Sequence, residues 1–242
     1  MERKAQVTPT PDGAMVHDPT RLGAAADPAW LDEAYWRARG PVAAPRGGRG
    51  AALHVASPAG PAVLRPYRRG GLVARFNRDR YLWQGESATR PFREFALLQS
   101  IVAAGLPAPE PLAARYRRAG LWYRGELLTR AIEGTQTLAQ ALLDAPSAID
   151  WTAVGRTIGR FHAHGFPHPD LNAHNILLGA ASCHLVDFDR GAPATPAAAW
   201  MQANLARLRR SLDKLGAPAR VPGFEGTAWP ALRAAHAAEV AQ

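Results

Sequence analysis

The residues best equipped for chemistry lie between His162 and Arg190, where HAHGFPHPDLNAHNILL is followed after a short gap by HLVDFDR. Asp170 and Asn175 stand five apart in a polar loop that closes on the apolar run Ile176, Leu177 and Leu178, and Asp187 follows a second apolar run, His184-Leu185-Val186. Two short strands thus deliver an Asp, an Asn and an Asp to one edge. A cation of the Mg2+ type takes hard oxygen ligands, so one carboxylate and one amide oxygen can hold it with positions left for nucleotide phosphates and water. A separate carboxylate nearby can then accept a hydroxyl proton.

The elements that must carry this loop are legible from spacing. Residues 1 to about 26 are polar and rich in Pro, Gly and Ala, and read as a flexible arm. Asp27-Pro28 reads as an N-cap with Pro at the first helical position, placing Trp30, Leu31, Ala34 and Tyr35 on one helix face. From Pro41 to about Arg69, Gly and Pro punctuate short apolar runs, Ala51 to Val55 and Ala62 to Leu64, which predicts strands joined by tight turns. Phe95, Leu98 and Val102 predict a helix ended by Gly105 and Pro107. Leu121 to Thr129 reads as a hairpin strand, and Leu138 to Leu143 and Val154 to His162 as helices. Met201, Leu205, Leu208, Leu212 and Leu215 mark a late amphipathic helix with Arg207, Arg209, Arg210 and Lys214 on its other faces. The balance shifts from strand to helix near residue 130. The expected organisation is an arm over 1–26, a strand-rich lobe over 27–127 and a helical lobe over 128–242.

At 242 residues and 47% hydrophobic the chain can bury a substantial core, and its formal charge of +9 attracts nucleic acid, anionic lipid or phosphorylated metabolites. All of the basic residues except Lys4 and Lys214 are arginine. Cys183 is alone, which excludes an internal disulfide and a thiolate zinc cluster and suits a reducing compartment. Met1 to Thr20 has no apolar run of the kind a cleaved secretory signal needs, and the longest apolar stretch, around Ala96 to Leu106, is broken by Gln99 and Ser100. A soluble or peripheral protein is expected.

His168-Pro169-Asp170-Leu171-Asn172-Ala173-His174-Asn175 resembles the protein-kinase catalytic loop H-R-D-L-x-x-x-N, and Asp187-Phe188-Asp189 resembles D-F-G. The resemblance implies that Asp170 orients and deprotonates the acceptor hydroxyl while Asn175 and Asp187 hold Mg2+ against the ATP phosphates. Upstream, Gly48-Arg49-Gly50-Ala51-Ala52-Leu53-His54-Val55 is similar to G-x-G-x-x-G-x-V, with Leu53 where the third glycine belongs. By that likeness Gly48, Gly50 and Val55 belong to a lid over the nucleotide. Val63-Leu64-Arg65 falls where V-A-I-K belongs, with Arg65 in the lysine's position. Lys4 lies in the arm and Lys214 beyond the metal-binding aspartate, so a cation bridging the phosphates there must be an arginine. Glu94 either pairs with Arg65 or lies in a solvent-facing turn beside Arg93.

No A-P-E sequence follows the second motif, and GAPATPAAAW leaves no usual peptide-docking segment. A closer resemblance covers most of the chain. Gly48-Arg49-Gly50, Leu64-Arg65-Pro66-Tyr67-Arg68-Arg69-Gly70-Gly71, Glu94, Leu127-Leu128-Thr129-Arg130, the 170–175 loop and Asp187-Phe188-Asp189-Arg190-Gly191 are similar to the bacterial 3-deoxy-D-manno-octulosonic acid (Kdo) kinases. That resemblance implies an α+β, bilobal protein-kinase-like fold with a strand-rich N-lobe and a helical C-lobe. It also implies phosphorylation by ATP of the 4-hydroxyl of Kdo on a lipid A precursor, peripherally at the cytoplasmic side of the bacterial inner membrane. The acceptor's carboxylate and phosphates would suit an arginine-rich protein.

Between Tyr67 and Trp83, Arg68, Arg69, Arg75, Arg78 and Arg80 interleave with Tyr67, Phe76, Tyr81 and Trp83. This segment is expected either to meet the acceptor or an anionic membrane surface, aromatics settling at the interface, or to be a solvated hairpin. Competing readings are a sugar or aminoglycoside-type kinase, a nucleic-acid-binding protein, a zinc site at His162, His164, His168 and His174, and a catalytically dead kinase fold suggested by Arg65 and Leu53. No RNA or DNA module accompanies the charge, and His168 and His174 are already taken by the loop motif, so nucleic acid and zinc rank below the enzyme.

Overall fold

The structure is a computed structural model in which residues 5–40, 42, 52–68 and 79–241 are described. Two units make up the chain, Met1–Gln99 with Glu110–Ala131 and Ser100–Pro109 with Ile132–Gln242.

The first unit is built on a seven-stranded sheet. In chain order its elements are β1 (Gln6–Thr10), β2 (Gly13–His17), α1 (Pro19–Leu22), α2 (Glu33–Arg37), β3 (Leu53–Ser57), β4 (Gly60–Pro66), β5 (Tyr81–Leu82), α3 (Arg90–Ala103, of which the residues from Ser100 on belong to the second unit), β6 (Pro111–Ala119) and β7 (Trp122–Arg130). The strand order is β1-β2-β6-β7-β4-β3, with β5 also paired to β7. Alternation fixes the register: Leu53, Val55 and Ser57 of β3 are buried while His54 and Ala56 are exposed. Leu53, Val55, Ala62 and Leu64 join Met15, Leu31, Trp36, Leu112 and Leu128 in one core, each fully buried Leu stabilising by about 1.5–3 kcal/mol.

Within the flexible arm expected over 1–26, residues 6–10 and 13–17 are instead strands of this sheet. Pro11 and Asp12 form a two-residue turn, and β2 is paired on both sides, by β1 and by β6. Ala14 to His17 are buried. A Cβ on Gly13 would sit 2.2 Å from the Tyr116 carbonyl oxygen, so this close crossing requires glycine. Pro9 is tolerated because β1 is an edge strand.

The single helix expected after Asp27 is also interrupted. The Asp27 carboxylate caps only a four-residue 3-10 turn, Pro28–Leu31, and α2 starts again after Asp32. The cause is Arg115 on β6, which is buried. Its guanidinium donates to Asp32 Oδ1 and Oδ2, Glu126 Oε2 and the carbonyls of Pro28 and Leu31 at 2.7–3.2 Å. All five N–H donors are thereby satisfied. Burial would push the Asp32 carboxyl up, but the Arg115 hydrogen bond and charge hold it below its ordinary value.

In α3, Phe95 and Leu98 are buried as the spacing predicts, while Ile101 is buried in place of the expected Val102, which is half-buried. Gly105 ends the segment at φ 71° while Leu106 N–H donates to the Ile101 carbonyl at 3.2 Å.

The second unit contains β8 (Gln136–Thr137), α4 (Leu138–Asp144), α5 (Trp151–Ala163), β9 (Ile176–Leu178), β10 (Cys183–Leu185), α6 (Ala198–Lys214), α7 (Ala217–Arg220) and α8 (Trp229–Val240). Thr137 and Asp150 cap α4 and α5 by accepting from Gln140 N–H and Ala153 N–H. The strands form a small antiparallel sheet, β10-β9-β8. Helices α5 and α8 pack through Gly155 and Gly159, where an added Cβ would fall 2.0 Å from the Leu232 carbonyl oxygen and 2.7 Å from that of His236. Helix α6 buries Met201, Leu205, Leu208 and Leu212 of the stripe read from the sequence, while its fifth member, Leu215, is the half-buried C-cap.

Candidate active site

The loop from His168 to Asn175 is held by its own polar groups. His168 Nδ1 accepts the Asp170 N–H at 3.1 Å, so its Nε2 carries the proton and donates to the Val186 carbonyl at 2.9 Å. Burial keeps this imidazole below its ordinary value despite the Val186 carbonyl and the charges of Asp187 and Asp170. The Val186 N–H in turn donates to the Asn175 carbonyl at 3.0 Å. The loop therefore clamps the residue preceding Asp187 from both sides.

Asn172 and Asn175 each donate Nδ2 to the Asp170 carbonyl at 2.9 Å. With its amide nitrogen so committed, Asn175 presents Oδ1, an acceptor, away from that contact. Asp187 occupies the left-handed region at φ 67°, a conformation Asp tolerates better than most side chains at a cost of order 1 kcal/mol. Next to it Phe188 is fully buried, stacked on Phe161 of α5 at 5.6 Å and against His168 at 4.7 Å. Along both turns, buried His168, Leu171 and Phe188 anchor the backbone while the carboxylates of Asp170 and Asp187 are exposed.

One stripe of α6 supports this loop. Asn204 Oδ1 accepts the His168 N–H at 2.9 Å, Arg207 Nη1 donates to Asp170 Oδ1, and Ser211 Oγ accepts the Ala173 N–H at 3.1 Å. The spacing 204, 207, 211 is that of one helix face. Behind it, His162 Nε2 donates to Asn204 at 3.3 Å, and His162 Nδ1 accepts from His236 Nε2 at 2.8 Å. Burial and the neighbouring His236 push His162 down to about 4.

In the first unit Arg65 of β4 is ion-paired with Glu94 of α3, the pairing rather than the solvent-facing alternative. Glu94 is buried, and Tyr67 Oη donates to its other oxygen at 2.6 Å. Val55 is buried on β3, and Gly48 and Gly50 lie outside the described residues.

Residues 33–233 match the Lipopolysaccharide kinase (Kdo/WaaP) family. The chain belongs to this family. It is 50% identical over 189 residues to the 3-deoxy-D-manno-octulosonic acid kinase of Xylella fastidiosa (strain M23), covering 78% of this chain and 74% of that one. It is 48% identical over 206 residues to the protein of the same name from Xanthomonas oryzae pv. oryzae (strain PXO99A), covering 84% and 81%. Two solved structures share the fold. WaaP in complex with acyl carrier protein is 19% identical with a TM-score of 0.51, covering 81% of this chain and 80% of that one. A glucosamine kinase is 12% identical with a TM-score of 0.52, covering 98% and 82%. The lipopolysaccharide-kinase chain is thus α+β and protein-kinase-like, as its loop motifs imply.

Among the residues singled out in this family member, Asp170 and Asn175 fall in one hydrogen-bonded loop whose bonds to Val186 hold Asp187 beside it, and Arg65 and Glu94 form a separate ion pair. In the aromatic-basic segment Tyr67 and Tyr81 are buried, and Trp83 packs on Tyr116 at 4.9 Å, so these three rings pack against the sheet. Arg69, Arg75, Phe76 and Arg78 lie outside the described residues. Asn204 and Ser211 carried no sequence signal beyond their spacing along an amphipathic helix, and Arg207 read as one of several solvent-facing cations.

Proposed function

We propose that this chain transfers the γ-phosphoryl group of ATP to the 4-hydroxyl of Kdo on a lipid A precursor. The observation that carries the reading is the closed set of hydrogen bonds from His168 to Val186, which holds an exposed Asp170 beside an Asn175 oxygen and Asp187 in a lipopolysaccharide kinase. The acceptor oxygen bonds to the γ-phosphorus, the bond from that phosphorus to the β-γ bridging oxygen breaks with its electron pair leaving on ADP, and the hydroxyl proton passes to the Asp170 carboxylate. Asn175 Oδ1 and the Asp187 carboxylate are hard donors suited to Mg2+, which when bound would neutralise charge on the phosphate oxygens. Arg65, steadied by Glu94, would meet the nucleotide phosphates in place of a lysine.

The same reading places the protein peripherally on an anionic inner-membrane surface. No helix among the described residues is long and apolar enough to cross a membrane. Leu82, Leu121 and Trp122 are 52%, 70% and 40% exposed around the β6-β7 turn. Arg80, Arg117, Arg118 and Arg124 line a depression of about 270 Å³ beside Trp122. Exposed apolar side chains with an arginine-lined depression beside Trp122 suit a headgroup layer.

The test is initial-rate phosphoryl transfer from ATP to Kdo-lipid A precursor, a free-sugar panel, an aminoglycoside and a peptide pool. Labelled phosphate on the glycolipid alone is expected, abolished by Asp170→Asn and by Asp187→Ala. Turnover near that of the unmodified chain in either variant removes that residue's role, and label on another acceptor removes the substrate.

A further inference from the structure

We infer that Arg207 is an acceptor-binding residue: the carboxylate of the acidic sugar replaces Asp170 as its ionic partner, which both orients the sugar and frees Asp170 to take the hydroxyl proton. The inference rests on the acceptor reading above.

Two arginines that build this fold are held through most of their donors. Arg115 commits all five, and Arg209, two positions along α6 from Arg207, is held by Asp213 and by both oxygens of Glu225 and lies over the Phe224 and Trp229 rings. Arg207 differs. Asp170 is its hydrogen-bond partner among the described residues, through Nη1, and the two side chains are 49% and 56% exposed. An exposed pair of this kind contributes about 0–1 kcal/mol to folding, so stability alone is a weak reason for it. The rest of the guanidinium fork remains available to a ligand.

Its position fixes which ligand. A hydroxyl that gives its proton to Asp170 must come within about 2.6–3.2 Å of that carboxylate, and Arg207 grips the same carboxylate from α6. Any acceptor seated on Asp170 therefore arrives beside a guanidinium. The acceptor is an octulosonic acid whose carboxyl sits on ring carbon 2, two ring carbons from the 4-hydroxyl, so both groups reach the Asp170–Arg207 pair from one sugar. Guanidinium binds carboxylate through two parallel hydrogen bonds, so the incoming carboxylate neutralises Arg207 and leaves Asp170 an unpaired anion ready to accept a proton. Before exchange, Arg207 occupies a lone pair of Asp170 Oδ1; afterwards that oxygen is open to the proton.

The experiment compares kcat/KM for Kdo-lipid A precursor and for its carboxyl methyl ester, in the unmodified chain, Arg207→Ala and Arg207→Lys. The unmodified chain is expected to favour the acid by about tenfold to a hundredfold, the range for hydrogen bonds to charged groups. Arg207→Ala should bring the acid-to-ester ratio near unity, and Arg207→Lys, which keeps the charge without the fork, should fall between. Because the ratio is internal to each variant, partial unfolding lowers both rates together and leaves it unmoved. An Arg207→Ala variant that keeps the original ratio overturns the inference. An unmodified chain that phosphorylates acid and ester equally also overturns it while leaving the acceptor reading intact; one that phosphorylates neither removes the acceptor reading and this inference with it.

Discussion

Asn204 and His168 are joined by one bond that crosses from α6 to the 168–175 loop: the Asn204 carboxamide oxygen accepts the His168 backbone N–H at 2.9 Å. The same oxygen faces His162 Nε2, so a single atom satisfies two buried donors from different elements. Removing it leaves both unpaired, at about 1–3 kcal/mol. Asn204→Ala should lower the urea midpoint and reduce kcat about tenfold or more, while Asn204→Asp, which keeps an acceptor oxygen, should recover part of the rate. Unchanged kcat in Asn204→Ala would show that the loop does not depend on α6.

Stability should fall with acidification before the carboxylates titrate. His162 is neutral in the folded chain, its value lowered from 6.5 to about 4, so the unfolded chain binds more protons between those limits. Its contribution is present above pH 6.5 and is lost progressively as pH falls toward 4, by about 3 kcal/mol at 1.36 kcal/mol per unit. His168 and His236 are shifted in the same direction. Urea titrations at pH 7.5 and 5 measure the loss, and His162→Asn should flatten it; an equal slope in that variant would assign the effect elsewhere.

Arg65 and Glu94 predict a separation of kinetic constants. Arg65→Ala should raise the ATP requirement about tenfold while moving the acceptor requirement less, since a charge-assisted contact to phosphate is lost. Glu94→Gln should act in the same direction because it releases Arg65 from its buried partner. Equal effects on both substrates reject the phosphate role.

Arg115 anchors the 28–32 turn to the sheet with every donor satisfied. Arg115→Ala leaves Glu126 and Asp32 without that partner and should cost about 3–5 kcal/mol in chemical denaturation. A loss below about 1 kcal/mol would mean that Arg117, which also reaches both carboxylates, compensates.

Sedimentation with anionic vesicles should weaken as salt rises from 0.1 to 0.5 M, because exposed charges are screened over roughly one Debye length. Leu121→Asp and Trp122→Ala should each reduce the bound fraction further. Binding that ignores both salt and these changes would place the membrane contact on another surface.

The N-terminal hairpin shows how local and tertiary information divide. Pro11-Asp12-Gly13 carries a turn signal, yet Gln6 to Thr10 lacks the apolar alternation of a half-buried strand because β1 lies at the sheet edge and buries little. What makes residues 13–17 a core strand is β6, which arrives about a hundred positions later in the chain. The Asp27 helix fails for a related reason: its spacing is helical, but Asp32 is drawn to Arg115, a partner with no local signature.

Unaided, the sequence singled out the residues proposed here as reactive, because a loop that must present an Asp, an Asn and an Asp over two short strands constrains residue types within a few positions of one another. It likewise determined α3 and α6, whose apolar periods are long enough to dominate their environment. Only tertiary structure decided that Asn204, Arg207 and Ser211 face the loop, that Tyr67 completes the Glu94 pair, and that Tyr67 and Tyr81 are core rings. Those roles depend on which distant backbone a helix or strand packs against, and a side chain on an amphipathic helix reads the same in sequence whether it meets water or another residue's N–H.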